Sequence, residues 1–265
     1  MQHIWFQRHL VWEFLRRDLQ ARYAGSAMGF FWSVINPLIL LLMYTFVFGI
    51  ILRVPGVRFG VETDVGDFAF YVFCGLLPWY AFQESLVRST TCIVDNAHLI
   101  KQVRFPAKVL PVYITLSSLV NQLIGTVIFL LFLIFPGKAF WTLMAFPLVL
   151  TLEFFLFIGV GLFFAACNTY LRDIAPLVTI AAMVLMWSTP MFYTLDLLKN
   201  APEWVWWIIH LNPLSYLVMI HHHLFLYGTM PPVYYWVVLG GISGGAFVLG
   251  YWFFTRSHGE FADLL

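Results

Sequence analysis

The 265-residue chain has little charge. Only 10% of its residues are Asp, Glu, Lys or Arg, while 62% are hydrophobic, which is not the composition of an ordinary water-soluble domain. Its formal net charge is +1, so it has no excess of Lys and Arg with which to read nucleic-acid phosphates. The composition predicts a membrane protein with no nucleic-acid partner.

The chain is also poor in the residue patterns that carry metals or catalysis. Its three cysteines, Cys74, Cys92 and Cys167, show no CxxC spacing and no Cys/His cluster, which predicts buried free thiols. Three consecutive histidines, 221–223, would point about 100° apart on a helix, so we expect interfacial histidines and no metal site. No Ser/His/Asp or paired-carboxylate arrangement is visible, and we predict a non-catalytic chain.

What the chain does have is long apolar runs. Runs of about 20 apolar residues are candidate spans, because a helix rises 1.5 Å per residue and the hydrocarbon core is about 30 Å thick. Six such runs predict an all-α polytopic membrane protein with six transmembrane helices. They cover about residues 29–52, 68–91, 110–135, 141–167, 174–193 and 232–255.

Residues 204–227 are also apolar, but Asn212 and Pro213 cut them into pieces that are each too short to cross. We predict an extracytoplasmic re-entrant helical hairpin, which requires protein or a water-filled cavity around the break. A kinked seventh span is the alternative. It would put the two termini on opposite sides of the membrane.

Basic residues near the span ends predict the orientation, because cytoplasmic loops carry the excess of Lys and Arg. With six spans and a cytoplasmic N-terminus, the inside collects Arg8, Arg16, Arg17, Arg22, Arg88, Lys101, Arg104, Lys108, Arg172 and Arg256. The outside receives Arg53, Arg58, Lys138 and Lys199. This bias predicts that both termini are cytoplasmic.

Residues 1–24 predict an N-terminal amphipathic helix that lies along the inner interface. Trp5, Trp12 and Leu15 share its apolar side, whereas Glu13 and Arg16 fall mostly opposite. Such a helix is either a plain membrane anchor or a surface that also contacts a cytoplasmic partner.

Charged residues inside spans need partners. Glu84 and Arg88 stand in the favourable order for a helical ion pair, which predicts a structural role. Glu153 lies in the middle of a span with no partner near it in sequence; a buried link to another helix is favoured over a proton relay. Arg172 and Asp173 predict a local ion pair that caps the next helix.

The segment "DNAHLIKQVRFPAKVLP", residues 95–111, is polar and basic between two apolar runs. It can form about two helical turns before Pro106 stops them. It is therefore either a short helix across the membrane face or an ordinary basic cytoplasmic loop.

An ordered set of motifs identifies the family that the chain resembles. The motifs of this set are, in chain order, "DLQARYAGSAMGFFWSVINPLILLLMYTFVFG", "GLLPWYAFQESL", "LIKQVRFPAKVLP", "NTYLRDI", "STPMFY" and "LNPL". From about Asp18 to the final span, the chain resembles the membrane subunit of bacterial ABC-2 type exporters of O-antigen, teichoic acid and capsular polysaccharide. The resemblance implies a single transmembrane domain over 1–265, in the bacterial cytoplasmic (inner) membrane.

The resemblance also implies partners. Two copies of the chain would assemble with two copies of an ABC ATPase subunit, which would bind ATP and Mg; this chain has no GxxxxGK[ST] phosphate loop and no cofactor of its own. Residues 95–106 would form the coupling helix that docks on the ATPase. The coupling residues implied are Asn96, His98, Leu99, Ile100, Lys101, Gln102, Val103, Arg104 and Phe105.

The cargo implied is a lipid-linked polysaccharide on a polyprenyl diphosphate, with O-antigen as the expected polymer. Its glycan would slide over aromatic side chains of spans one, two and five. These are Tyr44, Trp79, Tyr80, Trp187, Phe192 and Tyr193. Arg16, Arg17, Arg22 and Tyr23 would receive the diphosphate, or attract anionic membrane lipids generally. The rival hypotheses are an ABC-2 exporter of another lipid or drug, an ion-coupled secondary carrier, and a membrane-embedded enzyme.

Overall fold

The computed structural model describes residues 8–22, 31–51, 67–102, 105–134, 141–198 and 201–265. All regular structure in these ranges is helical, which confirms the predicted all-α class. Within them, three helical stretches are long and apolar enough to cross a membrane: Val109–Leu131, Trp141–Tyr170 and Val233–Glu260. Shorter apolar stretches cover Ile35–Val47 and Ile174–Ser188. The chain is a polytopic helical membrane protein.

The described residues of the first half include five α-helices. They are α1 (Arg8–Ala21), α2 (Phe31–Tyr44), α3 (Asp67–Asp95), α4 (Ala97–Gln102) and α5 (Val109–Ile134). A π-helical segment, Thr45–Ile51, continues α2. At 29 residues, α3 is about 44 Å long, which exceeds the thickness of the hydrocarbon core by several turns.

Six more α-helices lie in the part of the second half that the structure describes. They are α6 (Phe146–Tyr170), α7 (Ile174–Ser188), α8 (Glu203–Leu211), α9 (Pro213–His222), α10 (Val233–Ser257) and α11 (Phe261–Leu264). The 3₁₀ turns Trp141–Ala145, Leu195–Leu198 and His258–Glu260 precede α6, follow α7 and follow α10 respectively. A π-helical segment, His223–Tyr227, continues α9.

Helix α7 ends earlier than the sequence predicted. The predicted span was 174–193, but the helix stops at Ser188 and Thr189 is extended, with φ −88° and ψ 133°. The prediction is wrong at this end because a residue that precedes proline, here Pro190, is sterically pushed out of the helical region.

Helices α6 and α10 pack against each other along their lengths. Their backbones meet at two glycines: a Cβ on Gly250 would lie 1.9 Å from the carbonyl oxygen of Gly159, and a Cβ on Gly159 would lie 2.4 Å from the backbone of Ala246. Small residues at a crossing let membrane helices approach closely. Only glycine fits at these two positions.

The buried apolar side chains form two clusters. The larger one joins α3, α5, α6 and α9, with Trp79, Phe129, Phe157 and Phe225 among its members. The second lies where α1 meets the bundle, and Phe254 and Phe261 belong to it. Cys74 and Cys92 are buried free thiols as predicted, while the free thiol of Cys167 is only partly buried.

The apolar stretch 204–227 is broken where predicted. Helices α8 and α9 have nine and ten residues, and Asn212 between them is extended. The amide of Asn212 donates to Thr189 Oγ1 (2.8 Å), Ser188 Oγ (3.0 Å) and Leu185 O (3.3 Å), and its Oδ1 accepts from the backbone N–H of Leu214 (3.0 Å). The Asn212 side chain therefore satisfies a backbone N–H in the first turn of α9 and links the break to the end of α7.

Candidate functional site

A cavity of about 580 Å³ lies between α2, α3 and α5. Its apolar lining residues include Pro37, Leu40, Phe73 and Leu77. Its polar lining residues are Arg22, Asn36, Glu84, Ser118, Asn121 and Gln122. A space of this size with both apolar and charged lining suits an amphiphilic ligand.

A network of charged groups closes the polar side of the cavity. Arg22, at the end of α1, donates to Asp18 (3.1 Å), to Glu84 and to the Ser117 hydroxyl (2.9 Å). Arg88 donates to both oxygens of Asp18 and to Glu84 (2.9 Å), which confirms the predicted Glu84–Arg88 ion pair. Ser117 in turn donates to Asp18 at 2.6 Å. The network holds two acids and two bases, so it is formally neutral.

Asp18 on α1 is the central acceptor of this network, and its donors are Arg22 at the end of α1, Arg88 of α3 and Ser117 of α5. Burial raises the pKa of Asp18, but hydrogen bonds from Arg88 and Ser117, with the charges of Arg88 and Arg22, outweigh it. The pKa of Asp18 therefore lies below its ordinary value of 3.8, and the carboxyl is ionised at neutral pH.

The residues predicted to receive a diphosphate separate in the structure. Arg16 and Arg17 are exposed on α1. Arg22 is instead paired with Asp18 and Glu84, so an anion that binds it must compete with two carboxylates. Tyr23 lies outside the described residues.

The predicted conduit aromatics fall into two groups and one buried ring. The Tyr44 and Tyr80 hydroxyls hydrogen-bond to each other, and Tyr80 lines the cavity. Trp187 packs on Phe192, with ring centroids 5.2 Å apart, and its backbone carbonyl accepts from the Tyr193 hydroxyl (3.4 Å). Trp79 is 1% exposed, so its ring faces contact the interior of the chain.

The predicted coupling segment begins at a break after α3. Asn96 donates from its amide to the carbonyl of Cys92 (2.8 Å), and its own carbonyl accepts from Leu99 and Ile100 to start α4. His98 and Lys101 are exposed, whereas Leu99, Ile100 and Phe105 are half-buried. Gln102 is the last residue of α4, and Val103 and Arg104 lie outside the described residues.

Two neighbours hold this segment in place. Phe105 packs edge-on against Phe14 of α1 at 5.7 Å, and Phe14 stacks on Tyr113 of α5 at 5.4 Å. The C-terminal helix α11 contacts α4 directly. The segment therefore touches the helix that carries Asp18.

Glu153 finds partners on two other helices. It is fully buried, and the Gln122 amide of α5 lies 3.0 Å from both of its oxygens. His221 Nε2 of α9 lies 3.4 Å from Glu153 Oε1. The prediction of interfacial histidines is wrong for His221 and His222, because their rings bond the carbonyls of Leu217 and Tyr71 inside the bundle.

The turn between α6 and α7 is also built differently from the prediction. Asp173 occupies the N-cap position of α7 but makes no capping hydrogen bond with its side chain. Asn168, from the last turn of α6, accepts from the backbone N–H of Ala175 instead (3.1 Å). Asp173 has helical φ and ψ, which keep its carboxylate from reaching back to the first-turn N–H groups.

Sequence reasoning missed six polar residues of the site: Asp18, Asn36, Ser117, Ser118, Asn121 and Gln122. Asp18 could have been found, since it stands four residues before Arg22 at helical ion-pair spacing. Asn121 and Gln122 are adjacent amides within an apolar span, which is itself a signal that polar partners lie on another helix.

These features define a helical membrane protein with a charge-lined cavity inside its bundle, and comparison with known proteins gives its family. A family model described as "ABC-2 type transporter" matches residues 9–226. The chain therefore belongs to the ABC-2 type transporter family.

Named relatives of the chain come from two bacteria. Two of them are proteins named "O-antigen export system permease protein RfbA" from Klebsiella pneumoniae. One is 29% identical over 219 residues, which cover 81% of this chain and 79% of the relative. The other is 27% identical over 253 residues, which cover 94% of this chain and 92% of the relative. A protein of the same name from Myxococcus xanthus is 27% identical over 237 residues, covering 89% of this chain and 87% of its own.

Proposed function

We propose that this chain is the transmembrane subunit of an ATP-driven exporter that moves a lipid-linked polysaccharide, O-antigen, across the bacterial inner membrane. The observation that carries the proposal is the near full-length similarity to three proteins named as O-antigen export permeases. The family match over residues 9–226 supports the transporter class independently. ATP and Mg would be bound by a separate ABC ATPase subunit, two copies of which assemble with two copies of this chain.

The proposed membrane arrangement has six crossings, with both termini in the cytoplasm. The crossings are α2 with its π-helical extension, α3, α5, α6, α7 and α10. Helices α8 and α9 would enter and leave from the outer side as a re-entrant hairpin. The hydrogen bonds of Asn212 to the end of α7 support this hairpin, because they remove the need for water at the break.

The coupling segment would transmit ATPase movement to the cavity through α1. Docking on the ATPase would use the exposed His98 and Lys101 of α4. From there Phe105 contacts Phe14, and one turn further along α1 Asp18 joins the network that closes the cavity. This short chain of contacts supports the proposal that movement of α4 opens or closes the polar side of the cavity.

The carrier lipid would use the charged end of the bundle and the apolar lining of the cavity. Arg16 and Arg17 are exposed beside the network, and they are the proposed diphosphate contacts. Tyr44, Tyr80, Trp187, Phe192 and Tyr193 remain the proposed glycan contacts, since aromatic faces pack on sugars without fixing one register.

The first test is co-purification of the ATPase. The tagged chain would be purified from its own membranes in mild detergent and compared with the double variant His98→Glu, Lys101→Glu. These exposed side chains test docking better than Ile100 or Phe105, which pack inside the second apolar cluster. We expect a stoichiometric ABC ATPase that is lost in this variant and retained in the control Arg256→Glu. Failure to recover any ATPase with the unaltered chain would overturn the transporter class.

The cargo is tested separately, in a strain that lacks this chain. O-antigen should disappear from the cell surface and its lipid-linked form should accumulate in the inner membrane, and both effects should be reversed by the unaltered chain. Normal surface O-antigen in the deletion strain, with loss of another exported lipid, would assign the chain to a different cargo within the same family.

A further inference from the structure

The interior of the bundle contains an acid and a base that face each other away from the charged network. Glu153 is 0% exposed and His221 is 1% exposed. His221 Nε2 lies 3.4 Å from Glu153 Oε1, and the Gln122 amide lies 3.0 Å from both carboxyl oxygens. Phe146 and Phe225 pack on the imidazole ring, so the pair is enclosed by apolar surface.

The hydrogen bonds determine how many protons the pair holds. His221 Nδ1 lies 3.0 Å from the carbonyl oxygen of Leu217, which can only accept, so Nδ1 carries a hydrogen. In a neutral ring, Nε2 is then a bare acceptor that faces an oxygen of Glu153. If the pair held no further proton, the lone pairs of Nε2 and Oε1 would face each other, and the Glu153 carboxylate would be an unpaired anion inside the membrane.

The opposite state is excluded by the same geometry. If both Nε2 and the carboxyl group carried a proton, the imidazolium N–H would face the O–H of the acid. The His221 imidazolium would then be an uncompensated cation among Phe146, Phe225 and the apolar core. Among the described residues Nε2 has no hydrogen-bond partner, and Glu153 Oε1 lies 3.4 Å from it. One proton held by the two groups together provides a donor and an acceptor and leaves the pair neutral overall.

We propose that Glu153 and His221 together form a proton-binding site inside the membrane, and that the proton exchanges through the cavity beside Gln122. Gln122 belongs to both structures, because it lines the cavity and contacts Glu153. Its Oε1 is buried and has no hydrogen-bond partner among the described residues. A movement of this side chain would connect the carboxyl group to the cavity. Nothing in this proposal depends on the cargo.

The surroundings contain few other groups that could supply or share the proton. The next titratable side chain along α9 is His222, whose Nε2 bonds the Tyr71 carbonyl of α3 (3.0 Å). His223 follows on the π-helical segment, and its Nδ1 bonds the Thr229 hydroxyl (2.9 Å). In the described ranges, no Lys or Arg side chain forms an ion pair with Glu153, and no acid other than Glu153 forms one with His221.

Infrared spectroscopy of the purified chain tests the proposal directly. At neutral pH we expect either a protonated carboxyl C=O band that Glu153→Gln removes or an imidazolium band that His221→Gln removes. Either result identifies the one bound proton. The variant Glu203→Gln is the matched control, because it makes the same substitution at an exposed glutamate on α8, outside the pair.

Exchange with deuterium tests the route. Transfer to D₂O should shift the assigned band as deuterium replaces the bound proton. Compared with the unaltered chain, we expect this exchange to be faster in Gln122→Ala, which removes the amide side chain. We expect it to be slower in Gln122→Leu, which keeps the bulk of the side chain. Finding neither a carboxyl nor an imidazolium band at this pair would overturn the proton site. Identical exchange rates in the two Gln122 variants would overturn the cavity route. Both variants are first compared with the unaltered chain for elution volume and helical content, so that misfolding is recognised independently.

Discussion

At the scale of single residues, Asp18 connects three helices. Its two oxygens accept from Arg22 on α1, Arg88 on α3 and Ser117 on α5. Charge-assisted bonds are roughly twice as strong as neutral ones, and here several converge on one partly buried carboxylate. Removing the charge leaves Glu84 as the one carboxylate that both guanidinium groups contact among the described residues. The attachment of α1 to the bundle therefore depends on this side chain.

The first prediction is that Asp18→Asn loosens α1 without unfolding the bundle. Bonds to a charged group contribute about 1.5–3 kcal/mol, so amide protection in α1 should fall by one to two orders of magnitude at most. Hydrogen–deuterium exchange with mass spectrometry measures this. The control is Glu13→Gln, because Glu13 is exposed on the same helix. Unchanged protection of α1 in Asp18→Asn would contradict the prediction.

The second prediction concerns pH. The pKa of Asp18 is lower in the folded chain than its ordinary value of 3.8. Its contribution to the attachment of α1 is therefore present above about pH 3.8 and is lost as the pH falls below that value. The difference in α1 protection between the unaltered chain and Asp18→Asn should stay constant from neutral pH to about pH 4 and then vanish. A difference that already disappears near pH 6 would mean that another group controls the attachment.

Sequence reasoning found the local pairs of this site and missed the distant ones. Glu84 and Arg88 were paired correctly because four residues bring two side chains to the same helix face. The partners of Glu153, by contrast, come from α5 and α9, and no spacing within α6 indicates them. The burial of His221 and His222 was missed for the same reason. Their ring nitrogens are satisfied by carbonyls that only the folded bundle brings near.

At the scale of helices, the crossing of α6 and α10 constrains sequence most tightly. A Cβ at Gly250 would lie 1.9 Å from a backbone oxygen, which has no flexible side chain to give way. By contrast, a Cβ at Gly245 on the same helix would meet nothing within 4 Å. The two glycines therefore have different roles although they are five residues apart in one helix.

The third prediction is that Gly250→Leu separates α6 from α10 and destabilises the chain, whereas Gly245→Leu leaves stability nearly unchanged. Overpacking costs about 1–3 kcal/mol, and more where backbone must move. Thermal unfolding followed by helical circular dichroism, in one detergent for both variants, makes the comparison. Equal melting temperatures for the two variants would show that the close approach of the helices is not needed for stability.

Helix boundaries were predictable where apolar periodicity and proline act together. The break at Asn212 and Pro213 was expected, because proline cannot continue the preceding helix. The end of α7 at Ser188 was not, although Pro190 is visible in the sequence, since the apolar run continues past it. The apolar pattern reports which residues avoid water, whereas backbone sterics determine where the helix stops.

At the scale of the whole molecule, the charged network and the coupling segment lie at one end of the bundle. Phe105 contacts α1 and Asp18 belongs to it, so in the proposed coupling a movement of this segment would reach the cavity through α1. The buried Glu153–His221 pair borders the same cavity at Gln122 but shares no side chain with the charged network of Asp18, Arg22, Glu84, Arg88 and Ser117. Cavity closure and proton binding are therefore testable by different variants.

The last prediction decides between six crossings and seven. If α8 and α9 form a re-entrant hairpin, Met230, which is exposed just after it, lies outside the inner membrane; if they form a kinked seventh span, Met230 is cytoplasmic. In a chain whose three native cysteines are replaced by Ser, Met230→Cys should react with a membrane-impermeant maleimide in intact spheroplasts. Lys101→Cys, on the coupling segment, should react only after the membrane is permeabilised. Labelling of Met230→Cys only after permeabilisation would rule out the hairpin and place the C-terminus outside.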